Sequence, residues 1–95
     1  MIYLNVILTV RAPADVARVR DLLAETARRS ALEPGCERFE IYQSDADSQV
    51  FLLVERWQDQ AALDAHRAGV TFQTFYTPNV LPLVDRSPHP STRIA

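Results

Sequence analysis

The sequence predicts an α+β domain of the split β-α-β, ferredoxin-like kind, and three observations carry that expectation. The hydrophobic pattern switches between strand-like and helix-like periods in the order β-α-β-β-α-(α)-β. Ninety-five residues fill one domain, at the usual ~100–200 residues per domain, so residues 1–95 are read as a single unit. Apolar residues make up 47% of the chain and charged residues 23%, enough to bury a core rather than remain disordered. The core is expected at about residues 2–84, with a Pro-rich tail over 85–95.

Residues 1–10 (MIYLNVILTV) are apolar on both parities, Ile2, Leu4, Val6, Leu8 and Val10 against Tyr3 and Ile7, with Asn5 and Thr9 between. That suits a strand covered on both faces. From Pro13 to about Ser30 the period turns helical: Val16, Val19, Leu23 and Ala27 form a stripe, with Arg18, Asp21, Glu25, Arg28 and Arg29 largely off it. Pro13 falls where a first turn tolerates it, and Glu25 stands one turn before Arg29, the better order for an exposed ion pair worth ~0.3–0.5 kcal/mol. Glu33-Pro34-Gly35 punctuates the chain, after which residues 36–43 alternate, with Phe39 and Ile41 on one side and Arg38, Glu40 and Tyr42 on the other. A polar turn at 44–48 leads into 49–57, again apolar on both parities, so the two runs form an antiparallel hairpin.

Asp59 is the N-cap expected for a short helix over 60–68, closed by Gly69. Phe72, Phe75, Tyr76, Val80 and Leu83 then recur at spacings of three and four, interrupted by Pro78 and Pro82. The helix is therefore expected to run to about Thr77 and then give way to a broken or restarted turn. Four of the six prolines lie between 78 and 90, which predicts a stiff, irregular end, and the short tail 91–95 could pair only as an edge strand. Helices on one face of a sheet should leave the other face polar, yet the first and third strands are polar on neither. A second copy of the chain covering that face, a homodimer through sheet faces, accounts for the surplus.

Composition removes several chemistries. Twelve acidic and ten basic residues give a net charge of −2 with no basic cluster, so nucleic acid is not an expected partner. Every basic residue is Arg, which excludes Schiff-base lysines and the phosphate-cradling Lys of P-loops. The lone Cys36 makes no intrachain disulfide and no multi-thiolate site, and with His66 and His89 far apart no metal is expected. No run approaches the ~18 apolar residues of a membrane span, and no basic region followed by a cleavage site opens the sequence. A cytoplasmic protein without a membrane partner is the expectation.

The middle of the chain carries a more specific signal. Glu33-Pro34-Gly35-Cys36, then Arg38-Phe39-Glu40-Ile41-Tyr42, Phe51-Leu52-Leu53-Val54-Glu55-Arg56-Trp57, Ala61-Ala62-Leu63-Asp64-Ala65-His66 and finally Phe72 follow one another in an order and spacing that resembles the antibiotic biosynthesis monooxygenase domain of the dimeric α/β barrel superfamily. The resemblance runs from residue 2 to about 84. It implies a homodimer in which each subunit holds a cavity between helices and sheet, and oxidation of electron-rich phenols, anthrones or quinols by O2 without metal or flavin. Haem-degrading monooxygenases and an isomerase of a phosphorylated diketone are among the relatives, so the fold leaves the reaction open.

Candidate site residues follow from burial, chemistry and this resemblance. Asn5 is the one carboxamide in an apolar strand, where an unsatisfied amide costs ~1–3 kcal/mol; the resemblance to haem-degrading relatives implies that it lines the cavity, with Tyr3 of its own parity a weaker candidate. His66 follows Leu63 by three residues, on the inward side of its helix, and with an ordinary pKa near ~6.5 it is the side chain best suited to take and return a proton at neutral pH; its alternative role is to stabilise the helix C-terminus. Tyr76 stands where the resemblance would place an axial histidine in haem-degrading relatives, so haem is not expected and no cofactor is; the phenol either donates a hydrogen bond to substrate or packs in the core. Glu55 and Trp57 share a parity with Phe51 and Leu53. Glu55 is expected to pair with an Arg such as Arg38, the other outcome being a base whose pKa burial raises. Trp57, Phe72 and Phe51 supply flat apolar walls for an aromatic substrate.

The expected function is cofactor-independent monooxygenation of a small phenolic, quinol or anthrone-type aromatic by O2, with His66, Asn5 and Tyr76 as the catalytic set and Trp57, Phe72, Tyr3, Phe51 and Glu55 contacting substrate. The alternatives are an isomerase or cyclase using the same proton-transfer residues, and a non-catalytic dimeric ligand-binding or stress-response module.

Overall fold

The computed structural model describes all 95 residues, Met1–Ala95. Four strands form one antiparallel sheet in the order β2-β3-β1-β4: β1 is Ile2–Val10, β2 Cys36–Gln43, β3 Val50–Trp57 and β4 Val84–Ser91. Helices α1 (Val16–Ser30, after a 3-10 turn at Pro13–Asp15) and α2 (Gln60–Ala68) lie on one face of it. This is the expected α+β ferredoxin-like fold, with the β-α-β-β-α-β order intact.

The two middle strands, β1 and β3, each turn one parity inward. On β1 these are Leu4, Val6, Leu8 and Val10, and on β3 Phe51, Leu53, Glu55 and Trp57; the register sets Leu4 beside Glu55 and Ile2 beside Trp57. Val19 and Leu23 of α1 and Leu63 of α2 close over them, with Tyr76, Val80 and Val84 completing the core. Thr26, also buried, donates its hydroxyl back to the Leu22 carbonyl at 2.9 Å, which satisfies it within the helix. On the solvent side of α1, Glu25 accepts from Arg29 at 2.7 Å and also from Arg28, and the two guanidiniums lower its pKa to about 2. The Asp59 carboxylate caps α2 by accepting from the Ala62 N–H at 2.9 Å, as expected. Gly69 ends it in an extended conformation (φ −80°) rather than a left-handed one.

The segment after α2 is helical up to Tyr76, as expected, but as a π-helical stretch, Thr71–Tyr76, and it restarts as a single α turn, α3 (Thr77–Asn79), followed by a 3-10 turn at Leu81–Leu83. Both prolines sit in the first turn of a new segment, Pro78 in α3 and Pro82 in the 3-10 turn, where a missing N–H leaves nothing unpaired. The Thr77 N–H reaches back five residues to the Phe72 carbonyl, and this widening relieves the clash a proline ring makes with the preceding turn.

The end of the chain corrects an expectation. Residues 84–91, expected to be an irregular tail, form β4, paired with β1 from Val10–Val84 to Tyr3–Ser91, whereas residues 92–95 form no strand. Pro88 and Pro90 share one parity, opposite Val6 and Leu4. On an edge strand alternate N–H groups point away from the sheet, so prolines of one parity cost the ladder nothing and also discourage another strand from adding there.

The outer face of the sheet carries Tyr3, Asn5, Ile7, Leu52, Val54 and Arg56 in the middle strands. Ile7 is 38% and Leu52 39% exposed in the single chain.

Candidate active site

A small cavity of about 10 Å³, room for roughly one water, lies between the inner face of the sheet and the helical layer. Leu4 and Leu53 form its floor, Phe39, Phe72 and Tyr76 its apolar walls, and Glu55, His66 and Arg86 its principal polar groups.

His66 enters this cavity because α2 is short and its inward stripe, Leu63 and His66, faces β3. The imidazole is 6% exposed, with Trp57 at 4.5 Å, Phe72 at 5.5 Å and Phe39 at 5.8 Å between ring centroids. Its Nδ1 lies 2.5 Å from Oε1 of Glu33. A carboxylate there accepts a hydrogen bond from Nδ1–H, which selects the tautomer with the proton on Nδ1 and leaves Nε2 as the basic nitrogen.

Glu33 arrives through the Glu33-Pro34-Gly35 turn. Gly35 has φ +80°, a region that favours glycine, and a Cβ there would stand 2.5 Å from the Cβ of Ala62. Ala62 is one turn before His66 on α2, so the missing side chain at Gly35 is what lets the turn press against the helix and bring Glu33 to the imidazole. The Gly35 carbonyl accepts from the Gln58 N–H at 2.8 Å and fixes the same turn to the end of β3.

Glu55 lies on the inner face of β3 and is 4% exposed. Its Oε1 accepts from the Trp57 indole N–H at 3.0 Å, the only side-chain hydrogen bond it makes. Burial raises its pKa, opposed by the Trp57 hydrogen bond and by the nearby His66, Arg86 and Arg67. The expected pairing with Arg38 does not form. A register shift between Cys36 and Arg38 places Arg38 beside Arg56 on the outer face, where it pairs with Glu40 at 2.7 Å, and sets Phe39 opposite Glu55 instead.

Tyr76, 3% exposed, reaches the cavity from the π-helical stretch, and its hydroxyl has no hydrogen-bond partner of good geometry. Burial raises its pKa, and Arg86 draws it down in part.

The remaining candidates divide. Phe72 lines the cavity, and Trp57, wholly buried, backs His66 and holds Glu55. Phe51 is on the inner face but far along β3, beside Arg20, Ala24, Ile41 and Gln43. Asn5 and Tyr3 belong to the opposite parity of β1 and therefore to the outer face. Asn5 donates to the Ser91 hydroxyl at 3.1 Å, and Tyr3 carries the Arg56 guanidinium 4.7 Å above its ring. The proposed grouping of Asn5 with His66 and Tyr76 is therefore not formed within one subunit, because a single residue of parity separates the two faces.

Glu33, Arg86 and the rim residues Arg67 and Thr71 were not anticipated as site residues. Glu33 is legible in retrospect from a glycine that a helix must approach closely; Arg86 was hidden by reading its strand as an irregular tail. Cys36 stays half-buried, with burial pushing its thiol up to about 11, which makes it a poor nucleophile. No three His, Cys, Asp or Glu side chains gather in a metal-binding arrangement, and no helix is long and apolar enough to cross a membrane.

Comparison with known proteins places this geometry. A family model described as antibiotic biosynthesis monooxygenase matches residues 1–77. A protein of Synechocystis, itself uncharacterized, is 36% identical over 59 residues, a match covering 62% of this chain and 35% of that protein; this chain thus corresponds to about a third of that relative. Among solved structures, a conserved Bacteroides thetaiotaomicron protein described as a possible oxidoreductase superposes with a TM-score of 0.86 at 25% identity, covering 93% of this chain and 92% of that one. SnoaB of Streptomyces nogalater, a cofactor-independent oxygenase, gives 0.85 at 19% identity, over 99% of this chain and 93% of that one.

Proposed function

The chain belongs to the antibiotic biosynthesis monooxygenase family, and from that premise we propose that it is a cofactor-independent monooxygenase oxidising a small phenolic, quinol or anthrone-type aromatic with O2. The observation that carries this reading is a buried imidazole held at 2.5 Å by Glu33 and ringed by Trp57, Phe72 and Phe39, a proton acceptor inside an aromatic-walled cavity.

The chemistry follows from those groups. Nε2 of His66 takes a proton from the substrate, and Glu33 stabilises the imidazolium that results. General-base catalysis of this kind is worth ~10²–10⁴ in rate. The substrate anion is electron-rich and reduces O2 directly. For an anthrone the balance is a CH2 that loses two hydrogens and gains one oxygen atom as a ketone, while the second oxygen leaves with both hydrogens as water. A quinol instead gives two electrons and two protons, and O2 leaves as peroxide. The cavity of about 10 Å³ is far below the ~300–1,000 Å³ of a drug-sized pocket, so substrate binding requires it to open.

A second reading, an isomerase or cyclase, is favoured by one observation: Glu55 gives the cavity a second ionisable group that could return the proton to a different atom. An oxygen electrode separates the two. With a panel of anthrones and naphthoquinols, oxygen uptake clearly above buffer supports oxidation; substrate consumption without uptake supports the second reading; and no turnover of any member removes both.

The half-open outer face, with Ile7 38% and Leu52 39% exposed, supports a homodimer through sheet faces. Sedimentation velocity should give a dimer, and a Leu52→Asp variant a monomer; a monomeric wild-type chain contradicts it.

A further inference from the structure

The opening of the cavity differs in chemistry from its interior. Of the residues that line it, those not buried are Arg67, Thr71, Phe72 and Arg86, contributed by α2, the π-helical stretch and β4. The sheet register sets Arg86 opposite Leu8, on the inward parity, so β4 turns this side chain to the cavity side at the edge of the sheet. Arg67 directly follows His66 on α2. Arg11, Arg28, Arg29 and Arg38 each form an ion pair, whereas Arg67 and Arg86 form none, and no acidic side chain shares the opening with them. Further in, the Tyr76 hydroxyl stands beside the Arg86 guanidinium, and both arginines lie close enough for their charges to act on the Glu55 carboxyl, which is 4% exposed.

Charge decides what such an opening admits. Glu33 is engaged by His66 at 2.5 Å, so Glu55 is the one carboxyl in the cavity lining set against two guanidiniums. Guanidiniums keep their charge, so at least one positive charge is left over whether or not Glu55 is ionised. We propose that Arg67 and Arg86 form a cationic mouth that selects an aromatic acid, its ring entering toward His66 while a carboxylate at the far end of the molecule stays at the opening. This rests on the site assigned above to His66 and names the substrate class that it takes. The Tyr76 hydroxyl occupies one side of Arg86, and a guanidinium fork has five N–H donors, so donors remain for a carboxylate. The two arginines need not meet on one oxygen. At a partly exposed opening the carboxylate keeps part of its hydration and is held by the sum of two nearby charges, without the full cost of burying an ion. Binding energy gained at this remote end also helps to hold the reacting end in place.

Calorimetric titration of the full chain with 6-hydroxy-2-naphthoate, 6-hydroxy-2-naphthamide and 2-naphthol tests this, because the amide matches the acid in shape and lacks only its charge. The acid should bind about tenfold more tightly than either neutral compound. Arg67→Gln and Arg86→Gln should each lower that preference by about threefold or more, and the double variant should remove it. Arg18→Gln, on the exposed side of α1 and outside the cavity lining, makes the same change in net charge and should leave the preference within about twofold.

Equal or tighter binding of the amide, or no binding of any of the three, overturns the proposal. So does a preference that survives in the double variant, or one that Arg18→Gln lowers as far as Arg67→Gln and Arg86→Gln do. Thermal melts of each variant separate lost binding from lost folding, and both arginines lie at the opening rather than in the core, so the variants should fold. Preference for the acid together with absent oxygen uptake leaves the cationic mouth standing and removes the oxidation. Oxygen uptake on a neutral anthrone with no preference for the acid does the reverse, so the two claims fail separately.

Discussion

On the inner face of the sheet Leu4, Leu53, Glu55 and Trp57 are each at most 4% exposed, whereas Ile7 and Leu52, on the same two strands but facing outward, are 38% and 39% exposed. The polar groups differ in the same way. Outside, Asn5 is satisfied by Ser91 at 3.1 Å and Arg38 by Glu40 at 2.7 Å, and Arg56 stands 4.7 Å above the Tyr3 ring with one nitrogen buried and unpaired. Inside, Glu55 is dry and held by one indole, Tyr76 has only the Arg86 guanidinium beside its hydroxyl, and His66 has a single carboxylate. Groups that water already satisfies gain little by binding a small molecule. Groups held away from water keep hydrogen-bonding capacity that water does not use, and burial raises the pKa of Glu55 and Tyr76 besides; that is what a reaction requires.

Substitutions on the two faces should therefore differ in size and kind. Trp57→Ala removes a fully buried ring and the donor to Glu55, and should cost ~3–5 kcal/mol in urea-induced unfolding, while Leu52→Ala on the outer face of the same strand should cost the separated monomer under ~1.5 kcal/mol. Comparable losses would mean that the outer face is as tightly packed as the inner. Gly35→Ala should be next: a non-glycine residue at φ +80° is strained by ~1–3 kcal/mol, and the added carbon meets Ala62 at 2.5 Å. It should lower Tm and, because it displaces the turn, also loosen Glu33 from His66, seen as a changed imidazole tautomer by NMR.

The pH dependence is smaller and has a defined sign. The Glu55 pKa is raised in the folded chain, so the folded state binds the proton more tightly than the unfolded one. Its contribution to stability is present below the unfolded value near pH 4.5 and is lost as pH rises through the folded value. Chemical denaturation from pH 5 upward should show Glu55→Gln gaining on the wild type; a constant difference would place Glu55 in a wet environment. The smallest effect belongs to Asn5→Ala, which breaks one exposed hydrogen bond to Ser91 and should shift unfolding by about 0.5 kcal/mol or less.

Much of this architecture is legible in the residues. The helical stripe of Val19 and Leu23, the Asp59 cap, the hairpin and the inward position of His66 all follow from local periodicity, which is the information a single segment carries. The departures came where a neighbour decides. Pro88 and Pro90 read as strand breakers until β4 is known to be an edge. Arg38 looks like the partner of Glu55 until a shift in the β2 register turns it outward. Asn5 looked like a cavity residue because an amide among apolar neighbours signals burial without saying on which face. Glu33 was seen only as part of a turn, since its approach to His66 depends on Gly35 meeting Ala62, a contact between segments.

The central claim is that chemistry resides on the inner face, at His66, and it is tested most directly by oxygen consumption on an anthrone substrate with paired variants. The account predicts that His66→Gln lowers the rate by ~10²–10⁴, while Asn5→Ala stays within about twofold of the wild type. A wild-type rate that survives His66→Gln, or one that collapses on Asn5→Ala in a protein that remains folded, would contradict it.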